Sequence, residues 1–238
     1  MIVRMTAPLY KPVPGLFITA TDTEVGKTYV MALIARELHA RGHRVGVYKP
    51  AASGCVRTGG NLVSHDAQTL WEAAGRPGPL EAVCPQRFAA PLAPHLAARQ
   101  EGRCVDPLLL RAGLEYWRAC SDIILVEGVG GLMCPLGDGE YVANLAHDFG
   151  FPLVIVTRNA LGTINHTLLT LLAARSFRDG LPVAGLVLNN PPGPLDDPSQ
   201  ATNRGEIRAH CRTPLLAEVA RDGHGFDTAV AWLELARP

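Results

Sequence analysis

Several things are missing from this chain of 238 residues. It has no net charge, 22 Lys and Arg standing against 22 Asp and Glu, which argues against a basic nucleic-acid binder driven by phosphate neutralisation. It has no apolar run near the roughly 20 residues that cross a bilayer. The longest runs, such as Pro152–Val156, are strand-sized, so no membrane partner is expected. Arg4, Pro8, Lys11, Pro12 and Pro14 break up the first residues and leave no stretch for the apolar centre of a signal peptide. The six cysteines, at 55, 84, 104, 120, 134 and 211, form no C-x-x-C pair and have no histidine at metal-ligand spacing. Neither a zinc site nor a disulfide framework is suggested, and scattered thiols of this kind fit a reducing cytoplasm. No internal repeat and no shift of composition marks a domain boundary.

What is present is a foldable α/β pattern. Hydrophobic residues make up 47% and charged residues 18%, enough apolar surface for a sizeable core. Strand-like runs at 16–20, 44–48, 122–126, 153–157 and 183–188 alternate with helical stretches at about 27–41, 65–74, 107–120, 163–178, 203–211 and 227–236. That alternation signals crossover units and parallel pairing. Most of the strand runs are apolar at consecutive positions, as strands covered on both faces must be. The expected fold is a single α/β domain over 1–238: a doubly wound, mainly parallel sheet with helices on both faces, after a short lead-in at 1–14. Two stretches without periodicity, 51–64 and 191–199, read as surface loops.

The strongest local feature is Ala20-Thr-Asp-Thr-Glu-Val-Gly-Lys-Thr28, between the first strand and the first helix. A tight turn into a helix N-terminus offers backbone N–H groups and the positive end of the helix dipole to a phosphate. Lys27 would reach the β- and γ-phosphates and the Thr28 hydroxyl would take a place on Mg²⁺. The common G-x-x-x-x-G-K-[ST] pattern is not met, because Thr21 stands where its first glycine belongs. The plainer reading is an ordinary strand-to-helix turn in which Gly26 relieves sterics and Lys27 is solvated.

Other residues gain weight from position. Lys49 ends the second strand and precedes Pro50 and a Ser-Gly turn. It can be a surface lysine with a buried stem or a second cation on a transferring phosphoryl group. Glu127 ends the apolar run Ile123–Val126 and is followed by Gly128, Val129, Gly130 and Gly131. A carboxylate there is costly unless a cation faces it, and the glycines allow close backbone approach. Asp66 alone reads as a first-turn carboxylate behind a Ser64 cap. Leu161-Gly-Thr-Ile-Asn-His166 alone reads as a helix cap, and Asn189 and Asn190 as a turn starter.

T-D-T-x-V-G-K-T after a first strand resembles the phosphate loop of the dethiobiotin synthetase family, which has the P-loop NTPase fold. The resemblance continues through Tyr48–Gly54, His65–Ala67, Phe88–His95, Val126–Gly131, Leu161–His166 and Gly185–Asn190. The family usually has glycine where this chain has Ala20, and a proline-containing stretch against the adenine where this chain reads Glu218–Asp222. The resemblance implies an ATP-dependent ligase of biotin biosynthesis, which closes the ureido ring of dethiobiotin from 7,8-diaminononanoate, CO₂ and ATP. ATP is the co-substrate and Mg²⁺ the cofactor, in a homodimer. It implies that Lys27, Lys49 and Thr23 are catalytic and that Thr28, Asp66 and Glu127 hold Mg²⁺. Glu24, Val25, Gly26, Tyr29, Gly128, Val129 and Gly130 would line the nucleotide, with Asn189 and Asn190 at its base. Ser53 would orient the amines, and Gly162, Thr163, Ile164 and Asn165 would take the substrate carboxylate from the partner protomer. His95 follows Pro94 at a helix start and reads as structural. A Lys49→Ala variant is expected to lose turnover and still fold. The alternative is a nucleotide switch of the partition or division-site type, but such proteins carry a second lysine early in the phosphate loop, and Thr21-Asp-Thr23 has none.

Overall fold

The structure, a computed structural model, describes residues 13–192 and 197–237. The lead-in expected at 1–14 lies outside the described residues up to position 12, as do positions 193–196 of the proline-rich stretch. Along the chain the elements run β1 (Gly15–Ala20), α1 (Lys27–Ala40), β2 (Val45–Tyr48), β3 (Ala51–Ala52), β4 (Val56–Thr58), β5 (Asn61–Val63), α2 (His65–Ala73), α3 (Leu80–Val83), β6 (Gln86–Arg87), α4 (Pro94–Gln100) and α5 (Pro107–Cys120). They continue with β7 (Ile123–Glu127), β8 (Pro135–Gly137), β9 (Glu140–Tyr141), α6 (Val142–Phe149), β10 (Leu153–Arg158), α7 (Thr163–Ser176), β11 (Val183–Asn189), α8 (Gln200–His210), β12 (Leu215–Val219) and α9 (Trp232–Leu235).

Six strands form one parallel sheet in the order β12-β11-β10-β1-β7-β2. Every residue of β1, β2 and β7 is buried, so both sheet faces are covered there and consecutive apolar residues are required. From β1 the chain goes one way to β2 and β7 and later the other way to β10, β11 and β12. The carboxyl end of β1 is therefore a topological switch point, the place where open α/β sheets hold ligands. Local chemistry sets the helix starts: the Ser64 side chain accepts from Ala67 N at 3.2 Å, and Asp106 accepts from Leu108 and Leu109 ahead of α5 with Pro107 in its first turn. Packing under the sheet is tight. The Tyr48 hydroxyl donates to Leu110 O at 2.9 Å, and a Cβ on Gly113 would stand 2.3 Å from that hydroxyl oxygen.

Some expectations need correction. The stretch 51–64 holds β3, paired with β6, and the hairpin β4–β5; both hairpin strands are largely solvent-facing, so no apolar alternation announced them. The helix expected at 227–236 shrinks to Trp232–Leu235. Asp227 is held instead to strand β12: its N–H donates to Glu218 O at 3.0 Å and its Oδ1 accepts from Glu218 N at 2.7 Å. Arg204 fixes the other carboxylate oxygen at 2.6 Å. Strand β12 and helices α3, α4 and α6 were not among the expected elements.

Candidate active site

The carboxyl end of β1 opens into the loop Thr21–Gly26, which enters α1 directly. Its last turn depends on Gly26, where φ is +95° and a Cβ would lie 2.2 Å from the Asn189 side-chain nitrogen. Only glycine meets both demands. Asn189, at the end of β11, donates from Nδ2 to the Val25 carbonyl at 2.8 Å. Its side chain thus braces the loop from behind, and Val25 packs into the core. Ahead of it, Thr23 N–H donates to Asp22 Oδ1 at 2.7 Å and Lys27 Nζ donates to Asp22 O at 3.4 Å.

Four charged side chains converge in front of this loop. Lys49 Nζ donates to Glu127 Oε1 at 2.6 Å and pairs with Asp66 Oδ2 at 2.8 Å. The Thr28 hydroxyl donates to the same Glu127 oxygen at 2.9 Å. The plain reading of Lys49 as a surface lysine is thereby excluded, since its side chain is 4% exposed. Burial alone would lower the Lys49 pKa, but Glu127 and then Asp66 outweigh it and hold the ammonium above its ordinary range. Burial likewise would raise the Asp66 carboxyl, and the charge and hydrogen bond of Lys49 hold it below the usual carboxylate range. Lys27 goes the other way: burial lowers its pKa, Glu127 opposes that, and the nearby Lys49 charge lowers it further. Two cations and two carboxylates in a shielded space are an arrangement suited to anchoring a polyanion with its counter-ion.

The donor set fits Mg²⁺. Thr28, Asp66 and Glu127 offer only oxygen, which a hard divalent cation prefers. Glu127 Oε2 is buried and, among the described residues, has no hydrogen-bond partner, a costly state unless a cation takes it.

The sequence-expected residues Thr23, Glu24, Gly26, Lys27, Thr28, Tyr29, Lys49, Ser53, Asp66, Glu127, Val129 and Gly130 all line one cleft of about 810 Å³. Tyr29 also donates its hydroxyl to Gly223 O, tying α1 to the loop after β12. Gly128 lies beneath the cleft, where its N–H donates to Ile18 O at 3.0 Å and a Cβ would meet Val142 at 2.8 Å. Asn190 also stands off the cleft lining: its amide nitrogen donates to Glu218 Oε1 at 2.9 Å and to Val219 O at 2.8 Å. The turn Gly162, Thr163, Ile164, Asn165 is away from this cleft. Gly162 has φ +93°, and the Thr163 hydroxyl pairs with Thr157 at 2.7 Å.

Sequence reasoning gave no role to the apolar wall Pro91–Pro94 or to Cys134, which complete the cleft. The segment Phe88–His95 carried the resemblance without pointing to a contact. Its His95 ring lies 3.1 Å from the Pro135 carbonyl, joining α4 to β8, in keeping with a structural role.

A protein-family model described as an AAA domain matches residues 14–223. The chain is 44% identical over 216 residues to the ATP-dependent dethiobiotin synthetase BioD of Rhodopirellula baltica, covering 85% of this chain and 82% of that one. It is 47% identical over 223 residues to the protein of the same name from Anaeromyxobacter dehalogenans strain 2CP-C, covering 91% and 97%. With the Bacillus subtilis protein of that name the identity is 38% over 207 residues, with 85% of each chain covered. Among solved structures, the MinC:MinD cell division protein complex of Aquifex aeolicus matches with a TM-score of 0.52 at 15% identity, covering 87% of this chain and 81% of that one. A plasmid partition protein of Borrelia burgdorferi matches with a TM-score of 0.51 at 13% identity, covering 88% and 90%. These distant likenesses speak for the fold alone and do not favour a nucleotide switch, whereas the sequence relatives match nearly end to end: the chain belongs to the ATP-dependent dethiobiotin synthetase family.

Proposed function

We propose that this chain closes the ureido ring of dethiobiotin from 7,8-diaminononanoate, CO₂ and ATP, releasing ADP and phosphate. The observation that carries the reading is the buried Lys49–Glu127 pair beside the phosphate loop, joined by Asp66 and Thr28. The reaction asks for no nucleophile from the protein. The site consists of cations, backbone amides and oxygen donors, which suits a reaction driven by positioning and charge stabilisation.

One substrate amine adds to CO₂ and loses a proton, giving a carbamate. A carbamate oxygen attacks the γ-phosphorus of ATP and ADP departs. The second amine then attacks the carbonyl of the carbamic-phosphoric anhydride, closes the ring and expels phosphate. Lys27 and Lys49 bind the phosphoryl oxygens and offset the charge that builds on them. Thr23 lines the phosphate loop beside the reacting groups, and Ser53 orients the amines. The N–H groups and side chains from Glu24 to Tyr29, with Gly128, Val129 and Gly130, line the nucleotide, and Asn189 and Asn190 set its base end. Thr28, Asp66 and Glu127 would hold Mg²⁺. When bound, that ion neutralises β- and γ-phosphate charge. The substrate carboxylate is received by the turn Gly162, Thr163, Ile164 and Asn165 of the partner subunit in a homodimer. In support, Leu161, Leu168, Leu169 and Leu172 beside that turn are open to solvent, an apolar face suited to a second copy. Free, exposed Cys104 and Cys120 suit the reducing cytoplasm.

The test is ADP release from the purified protein with Mg²⁺, ATP and bicarbonate, with and without 7,8-diaminononanoate, with the product identified by mass. Dependence on the diamine with dethiobiotin formed is expected. ATP turnover indifferent to the diamine sinks the reading.

A further inference from the structure

Behind the strand ends a chain of side-chain amides runs from Asn190, at the proposed base end of the nucleotide, to the buried Asn159 and Asn203, to which the reaction described above gives no role. Asn159, directly after β10, is 5% exposed. Its Nδ2 donates to Asn190 Oδ1 at 2.8 Å and its Oδ1 accepts from Asn203 Nδ2 at 2.9 Å. Its own backbone N–H donates to Asn189 O at 2.8 Å. Each end of this side chain therefore serves a different element. On one side Asn190 carries the connection to Glu218 Oε1 and Val219 O, at the end of β12. On the other, Asn203 of α8 is 2% exposed and its amide also reaches Ala160 O at 3.3 Å and Ser199 Oγ at 3.1 Å. Ser199 is in turn bound to Asp197, whose Oδ2 accepts the Leu161 N–H at 2.8 Å.

The turn that leads into α7 is thus held at Ala160 and Leu161 by the same amide chain that fixes the ends of β11 and β12. Buried amides are expensive to orient wrongly, because a flipped group leaves a donor facing a donor. Asn159 is the one member that touches both arms, and a shorter apolar side chain there would free Asn190 and Asn203 together.

We infer that Asn159 is a positioning residue that keeps the base end of the nucleotide site and the carboxylate-receiving turn in a fixed register. The inference rests on the function proposed above, in which those two places recognise the ends of the two substrates. It is not a catalytic residue, since it stands away from the cleft that holds Lys27, Lys49 and Glu127.

The test compares discrimination, which a loss of stability alone does not move. For the wild-type enzyme, kcat/KM is measured for 7,8-diaminononanoate against its methyl ester, and for ATP against GTP. Asn159→Ala is expected to lower both ratios by roughly tenfold, the scale of one lost buried hydrogen bond. Asn203→Ala, which leaves the Asn159–Asn190 contact in place, is expected to lower the acid-to-ester ratio and to spare the ATP-to-GTP ratio. Thermal unfolding of each variant is recorded alongside, and if Asn159→Ala does not fold, Asn159→Ser takes its place with the same expectation. Variants that melt earlier and keep both wild-type ratios overturn the role of Asn159. A wild-type enzyme that makes no distinction between acid and ester overturns the carboxylate assignment of the proposed function instead, and the inference with it.

Discussion

Lys49 and Glu127 form a buried ion pair, 2.6 Å between Nζ and Oε1, with side chains 4% and 1% exposed. Removing either partner strands the other away from water. Lys49→Ala is therefore expected to do two things: to lower kcat by orders of magnitude, and to cost about 3–5 kcal/mol of stability. The second effect departs from the sequence-based expectation of an undisturbed fold. Urea unfolding beside steady-state kinetics separates the two. The double variant Lys49→Met with Glu127→Gln should regain much of the stability and none of the activity. Near-normal kcat in Lys49→Ala removes the lysine from the mechanism.

The phosphate loop gives a graded pair of outcomes. Gly26→Ala combines a φ of +95° with a Cβ only 2.2 Å from Asn189 Nδ2, so the loop must rebuild and ATP binding should be lost. Asn189→Ala leaves the loop backbone free of any clash but removes the 2.8 Å brace on Val25 O together with a side chain proposed at the base end of the nucleotide, and at least about a tenfold weaker ATP affinity is expected. Calorimetric titration with ATP distinguishes them. If Gly26→Ala binds ATP as the wild type does, the loop is not the phosphate site.

Gly113→Ala tests packing against propensity. In an exposed helix this change gains up to about 1 kcal/mol. Here a Cβ would meet the Tyr48 hydroxyl at 2.3 Å and ring carbons at 2.8 and 2.9 Å, within a buried hydrogen bond to Leu110 O. Overpacking of this kind costs about 1–3 kcal/mol, so the variant should melt below the wild type. It should also lose activity, since Tyr48 immediately precedes Lys49. A higher melting temperature contradicts the packing seen here.

Arg111 links α5 to β9 and α6 through Glu140 at 2.7 Å and Asp148. Burial alone would raise the Asp148 carboxyl, but the Arg111 hydrogen bonds and charge outweigh it and hold it below the usual range. A carboxyl with a depressed folded pKa adds stability above its unfolded pKa, near 3.9, and that stability fades as pH falls through the folded value. Asp148→Asn should thus be less stable than wild type at pH 7, by up to about 1 kcal/mol. The two should converge at acid pH, once the Asp148 carboxyl is protonated in the folded as well as the unfolded state. Chemical unfolding at both pH values decides it; a difference independent of pH assigns the effect to something other than this charge.

Much of this architecture was legible because burial wrote it into the residues. The runs Leu16–Ile18 and Ile123–Val126 are apolar at every position because both sheet faces are covered, and the phosphate loop is spelled in consecutive residues. Strand β12 escaped notice because its burial alternates weakly over five residues, Leu215 to Val219. Helix α6 starts at Val142 behind Tyr141, not behind a short polar cap; Asn144 Oδ1 reaches back to accept the Tyr141 N–H at 2.8 Å. Lys49 and Asp66 are 17 positions apart, and their meeting is fixed by where β2 and α2 are delivered, which spacing alone does not reveal. The Asn159–Asn190–Asn203 chain was invisible for the same reason, since an isolated asparagine carries no mark of what it will face.

Strand β12 closes one side of the sheet, and an unpaired strand edge is an invitation to another chain. The outward N–H and C=O of Glu218 are both taken by Asp227, which Arg204 holds in place. A single aspartate thus occupies the outward backbone groups of Glu218, near the carboxyl end of the free border, and denies them to an intruding strand. The loop that displaces the expected helix at 227 is, in this light, a guard against aggregation.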